Sequence, residues 1–90
     1  MKRGKDSPND APALALAALG WVLGDGPRAE RFLALTGLTP DTLRESLGRS
    51  ETQAAVLDFL CAHEPDLVAA AESLGMEPQR LAAAREELER

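Results

Sequence analysis

Ala17-Ala18-Leu19-Gly20-Trp21-Val22-Leu23 is the stretch that decides the fold of this 90-residue chain. It belongs to an apolar run that has helical spacing on two sides. One side carries Leu16, Leu19, Gly20 and Leu23, and the opposite side carries Leu14, Ala18, Trp21 and Val22. A helix that is apolar all round is surrounded by other elements or is completed by a second chain. We therefore predict a central helix, capped by Asp10 and ending near Leu23.

Composition favours an all-α fold. Hydrophobic residues make up 44% of the chain, but aromatic residues only 3%. Most of the apolar volume comes from alanine and leucine, which are strong helix formers. With few valines and no isoleucine there is little from which to build a sheet.

Glycine and proline divide the chain into five or six short helices joined by tight turns. Gly24-Asp25-Gly26-Pro27 predicts a turn, Gly37 and Gly75 predict helix ends, and Pro40, Pro65 and Pro78 predict helix starts. Ser50 with Gln53 predicts a capping box for the fourth helix. Residues 1–9 (MKRGKDSPN) lack an apolar face, so we expect a disordered polar tail followed by a single all-helical domain over residues 10–90.

Charge and cysteine content limit the partners and the compartment. The chain has a net charge of −5, and its lysines lie in the first five residues. An acidic body makes binding to a phosphate backbone unlikely. The apolar run Ala13–Gly24 is shorter than the roughly 20 residues that a membrane span needs. A single cysteine, Cys61, cannot form an internal disulfide, so we expect a cytoplasmic protein.

One segment nevertheless has the spacing of a helix-turn-helix. Ala71, Gly75-Met76 and Leu81 fit two helices joined by a glycine-containing turn within residues 68–88. Gln79, Arg80 and Arg85 would then face the DNA bases. The glutamates that follow them, however, would repel the phosphates of the DNA backbone. Any tight turn between two helices has the same spacing, and we expect such a turn without a role in DNA binding.

Candidate chemistry is sparse. His63 and Cys61 lie two residues apart, a spacing that points them away from each other on a helix, so we predict no metal, cofactor or catalytic site. Asp58 stands alone in an apolar stretch, where it either forms a polar strip facing solvent or pairs with Arg44 or Arg31 at a helix junction. We expect a structural ion pair rather than a catalytic carboxylate. Trp21 is either a core residue or an anchor in a protein interface.

Several segments together resemble a family of short bacterial proteins, domain of unknown function family 3572, found chiefly in alphaproteobacteria. They are Ala18-Leu19-Gly20-Trp21, Phe32-Leu33, Thr36-Gly37, Leu43-Arg44 and Val56-Leu57-Asp58-Phe59-Leu60. The resemblance covers roughly Ala13 to Leu88, and the glutamate-rich end after Ala83 departs from it. It implies a small, all-helical, cytoplasmic protein without an activity to carry over, and it singles out Arg44 and Asp58 without giving them a role.

These observations predict a non-enzymatic protein-interaction module that binds either a second copy of itself or a larger assembly. The alternative is a DNA-binding protein that uses residues 68–88. The candidate interaction or structural-polar positions are Trp21, Arg44 and Asp58.

Overall fold

The computed structural model describes residues 10–90, so the predicted tail over residues 1–9 lies outside the described part of the chain. The described residues form six α-helices joined by short turns, as the sequence predicts. They are α1 (Ala11–Leu23), α2 (Gly26–Thr36), α3 (Pro40–Glu45), α4 (Ser50–Cys61), α5 (Glu64–Leu74) and α6 (Pro78–Leu88).

The helix ends follow from local chemistry. Gly37 and Gly75 adopt left-handed backbone conformations, with φ of 76° and 72°, which residues with a Cβ atom rarely adopt. Asp25 accepts a hydrogen bond from the Arg28 amide at 3.0 Å and so caps α2. At the start of α3, Thr39 and Thr42 form a reciprocal capping box.

The predicted capping box of α4 is wrong. Arg49 occupies the N-cap position, Ser50 is the first helical residue, and neither side chain caps the helix. Gln53 instead lies buried and donates from Nε2 to the Leu47 carbonyl at 2.8 Å. Its amide therefore satisfies the loop before the helix rather than the helix end.

α1 is the central helix of the bundle, as predicted. It packs against α2, α4, α5 and α6, while α4 and α6 pack closely on each other. α3 contributes the buried Leu43 at the periphery. The largest fully buried side chains are Phe32, Leu14, Leu57, Leu60, Leu81, Val22 and Val56.

Other elements of this chain cover only one of the two apolar sides of α1. Ala15, Ala18 and Val22 face the core and are buried. The side that carries Leu16, Gly20 and Leu23 is mostly on the outside, since Leu16 and Leu23 are 41% and 43% exposed and Gly20 is exposed. Within residues 10–90, no helix has the length and apolar character needed to span a bilayer.

Candidate functional site

An apolar groove runs between the C-terminal half of α2 and the outer face of α4. It consists of two adjoining cavities of about 480 and 400 Å³ that share Leu35, Phe59 and Ala62. We call this depression the α2–α4 groove. Its other lining residues are Thr36, Leu38, Glu51, Thr52, Ala55 and Asp58 at one end and Arg31 and His63 at the other.

The groove floor is a single face of α4. Glu51, Ala55, Asp58 and Ala62 follow one another at intervals of three or four residues, which places them in one row on a helix. Phe59 lies beside that row and is only 7% exposed. The small side chains of Ala55 and Ala62 in this row leave the space that the groove occupies.

The Phe59 ring is held in place by a contact with α2. Its ring meets Phe32 of α2 edge to face, with centroids 5.4 Å apart and an interplanar angle of 83°. Edge-to-face contact is a favoured arrangement of aromatic rings and it fixes their relative orientation. The same contact sets the separation of α2 and α4, and so the width of the groove.

Leu35 forms the outer wall of the groove. This side chain is 72% exposed, the most exposed of the large hydrophobic residues among residues 10–90. The wall is fixed at its end because the Thr36 hydroxyl donates to the Phe32 carbonyl at 2.9 Å and Gly37 then turns the chain. A solvent-exposed leucine side chain at the edge of an apolar depression is typical of a binding surface.

The rim carries carboxylates at one end and basic groups at the other. Asp58 lies 3.3 Å from the Arg85 guanidinium of α6, and Glu51 lies 3.6 Å from Arg49. At the opposite end, Arg31 lies 5.0 Å above the Phe59 ring and donates to Asp66 at 2.7 Å. Each of these charged side chains therefore has an oppositely charged neighbour.

The predicted partners of Asp58 are wrong. Asp58 pairs with Arg85 rather than with Arg44 or Arg31, because α6 packs along α4 and brings Arg85 to its outer face. Arg44 bonds the neighbouring Asp41 within α3. Arg31 reaches Asp66 at the start of α5.

The three candidate positions of the sequence lie in different places. Asp58 is on the rim of the α2–α4 groove. Arg44 lines a separate apolar depression of about 310 Å³ that includes Leu19, Leu23 and Leu33. Trp21 is half-buried under Arg28, whose guanidinium carbon lies 3.5 Å from the ring centroid. They do not form one site.

Among residues 10–90, no cluster of three or more His, Cys, Asp or Glu side chains is arranged to hold a metal ion. Burial raises the pKa of the Cys61 thiol above its usual 9.0, and Arg85 opposes that shift. A protonated thiol is a poor nucleophile.

Sequence reasoning missed Leu35, the residue that shapes the groove. The available signal was its position, since Leu35 lies outside the inward-facing stripe that Phe32 and Leu33 indicate for α2. An isolated exposed leucine is common on protein surfaces. Only its position beside the low floor of α4 makes it part of a groove.

Comparison with known proteins gives a family without an assigned activity. No curated protein and no solved structure shows significant similarity to the chain. Residues 8–90 match a protein family described as Protein of unknown function (DUF3572). Because the match spans nearly the whole chain, this protein belongs to the DUF3572 family.

Proposed function

We propose that this protein is a non-enzymatic protein-interaction module and that the α2–α4 groove is its binding surface. The observation that carries the proposal is the pairing of a mostly exposed leucine with an apolar depression. Leu35 is 72% exposed beside a cavity of about 480 Å³ floored by Ala55 and Phe59. Exposed apolar surface in a concave setting is typical of protein-binding sites.

The dimensions favour an amphipathic helix from another protein as the occupant. The row from Glu51 to Ala62 extends for about 16 Å along α4 at 1.5 Å per residue. That length accommodates about three turns of a bound helix, which would insert apolar side chains at intervals of three or four residues.

Charge sets the chemistry of that helix. Glu51 and Asp58 are 76% and 52% exposed at the side-chain level, so their carboxylates remain accessible despite their arginine neighbours. A partner helix with lysine or arginine beside its apolar face would complement them. Exposed pairs of this kind contribute to selectivity and association rate more than to affinity.

A designed peptide tests the proposal directly. The probe is a 12-residue helical peptide with leucines at helical spacing and flanking arginines, titrated into isotopically labelled protein and followed by NMR. We expect chemical-shift changes centred on Leu35, Ala55 and Phe59. Replacing the peptide arginines with glutamates should weaken binding a few-fold, because each lost exposed pair is worth about 0.2–1 kcal/mol.

Two protein variants complete the experiment. Ala55→Arg fills the groove floor and should abolish the shifts, whereas Ala69→Arg adds the same side chain to an exposed position on α5 and should leave them unchanged. Circular dichroism checks that both variants fold. Binding that survives Ala55→Arg, or shifts that avoid the groove, would contradict the proposal.

DNA binding through residues 68–88 has less physical support. α6 packs on α1 and α4 and buries Leu81 and Ala84. Arg80 and Arg85 lie 3.5 Å from Glu87 and 3.3 Å from Asp58, so carboxylates already accompany both of the predicted reading arginines. These contacts weigh against DNA binding through this segment.

We further propose that the protein works in the bacterial cytoplasm, as the family resemblance implies. A chain with one cysteine cannot form an internal disulfide, so a reducing compartment suits it. Fractionation of cells that carry the native protein tests this location.

A further inference from the structure

The outer face of α1 is a second apolar surface, separate from the α2–α4 groove. Its exposed residues are Pro12, Ala13, Leu16, Ala17, Gly20 and Leu23. No side chain in α1 is charged, so this face is neutral along its whole length. The chain as a whole has a net charge of −5, so its charged side chains lie outside this face.

We propose that a second copy of this chain packs on the α1 face, with the two α1 helices antiparallel about a two-fold axis that crosses the exposed face at the level of Ala18, whose own side chain faces the core. A two-fold interface brings the same patch from both copies together, so the patch has to be complementary to itself. The α1 face meets that condition in shape and in charge.

The shape argument comes from the order of large and small residues. In an antiparallel pair centred near Ala18, Leu16 of one copy lies opposite Gly20 of the other. Leu23 likewise lies opposite Ala13. Each exposed leucine thus meets a small residue, which is the alternation that lets helix surfaces interdigitate.

The absence of charge on the α1 face favours a second copy. Each copy is acidic overall, and repulsion between two copies is weakest where uncharged faces meet, as the two α1 faces do. An antiparallel arrangement also aligns the dipoles of the two α1 helices favourably.

Gly20 supports the same conclusion independently. Glycine in the middle of a helix is less favourable than alanine, and a Cβ atom added at Gly20 would meet no other atom within 4 Å. The monomer therefore provides no packing reason for this glycine. A close approach by another molecule provides one.

The area of the face indicates a weak, reversible dimer. A 13-residue helix is about 20 Å long and about 10 Å wide, so two such faces bury roughly 400 Å² in total. Stable interfaces bury about 1,200–2,000 Å². The dimer should therefore dissociate on dilution.

Sedimentation velocity from low micromolar to near-millimolar protein concentration tests the inference. We expect the wild-type chain to shift reversibly from monomer to dimer. Gly20→Leu should weaken dimerisation at least about tenfold because its side chain meets Leu16 of the second copy. The same substitution should raise the melting temperature of the monomer, since leucine is the better helix former. Lost dimerisation in a more stable protein cannot be ascribed to unfolding.

A further variant separates this inference from the groove. Leu35→Glu alters the α2–α4 groove and should dimerise like the wild type. A monomer at all concentrations, or a Gly20→Leu variant that dimerises normally, overturns the inference and leaves the groove proposal intact.

Discussion

Arg28 explains why the only tryptophan is half-buried rather than fully enclosed. Its guanidinium stacks on the Trp21 ring at 3.5 Å and donates to the carbonyls of Trp21 and Val22 at the end of α1. One side chain therefore covers the indole, donates to two carbonyls at the end of α1 and joins α1 to α2.

We predict that Arg28→Lys lowers the free energy of unfolding by about 1 kcal/mol, because an ammonium group cannot stack and donate in this planar arrangement. Urea denaturation followed by Trp21 fluorescence measures the change. Arg44→Lys is the matched control, since the Arg44–Asp41 pair is highly exposed and should matter by less than about 0.5 kcal/mol. Equal losses in the two variants would contradict the role given to Arg28.

Cys61 reports on the charges around the α4–α6 contact. Its pKa is raised mainly by burial, with Asp58 and Glu89 adding to the shift and Arg85 opposing it. We predict that Asp58→Asn lowers the pKa of Cys61 and Arg85→Gln raises it further. The pH dependence of thiol alkylation measures both shifts, and Glu72→Gln on α5 should change neither.

The raised pKa of Cys61 also determines the direction in which protein stability changes with pH. The unfolded thiol ionises near its ordinary value of 9.0, and the folded thiol ionises at higher pH. Its contribution to stability is therefore complete below pH 9.0 and declines as the pH rises toward the folded pKa.

At the scale of single elements, helix starts use two different devices. α3 begins with a reciprocal capping box in which the Thr42 amide donates to the Thr39 hydroxyl at 3.1 Å. α4 begins without a side-chain cap, and Gln53 stabilises the preceding loop instead. The two starts look alike in sequence but not in structure.

We predict that Thr39→Ala destabilises the protein by about 1 kcal/mol, because it leaves an amide of α3 without its partner. Ser50→Ala should be neutral or slightly stabilising, since Ser50 lies within the helix and caps nothing. Thermal unfolding of the two variants beside the wild type compares them. A larger loss for Ser50→Ala would show that α4 starts differently.

At the scale of the whole molecule, the Phe32–Phe59 pair of rings connects α2 to the core. Phe32 is fully buried and meets Phe59 edge to face. Phe32 is the only fully buried residue of α2, and Leu33 packs against the core from a partly buried position. The position of α2 therefore depends on this residue, and so does the groove.

We predict that Phe32→Ala lowers the free energy of unfolding by about 3–5 kcal/mol, a large part of the stability of a domain this size. Leu35→Ala, three residues along the same helix, should change it by less than about 0.5 kcal/mol because that side chain is exposed. Chemical denaturation of both variants tests the contrast. A severe effect of Leu35→Ala would place Leu35 in the core rather than on the groove wall.

The sequence by itself determined the element list and the fold class. Glycines that need positive φ, prolines that fit first helical turns and an apolar periodicity are local signals, so six helices and a central α1 were predictable. The family was also predictable, from short motifs distributed over Ala18 to Leu60. These features depend on neighbours within a few residues.

Only the tertiary structure decided which face of α1 is covered. An all-round apolar α1 has no preferred side in sequence, and packing by α4, α5 and α6 left Leu16 and Leu23 outside. The pairing of Asp58 with Arg85 and the groove beside Leu35 likewise join residues far apart in the chain. Such contacts follow from how whole helices dock, and helix docking is a property of summed surfaces rather than of any local pattern.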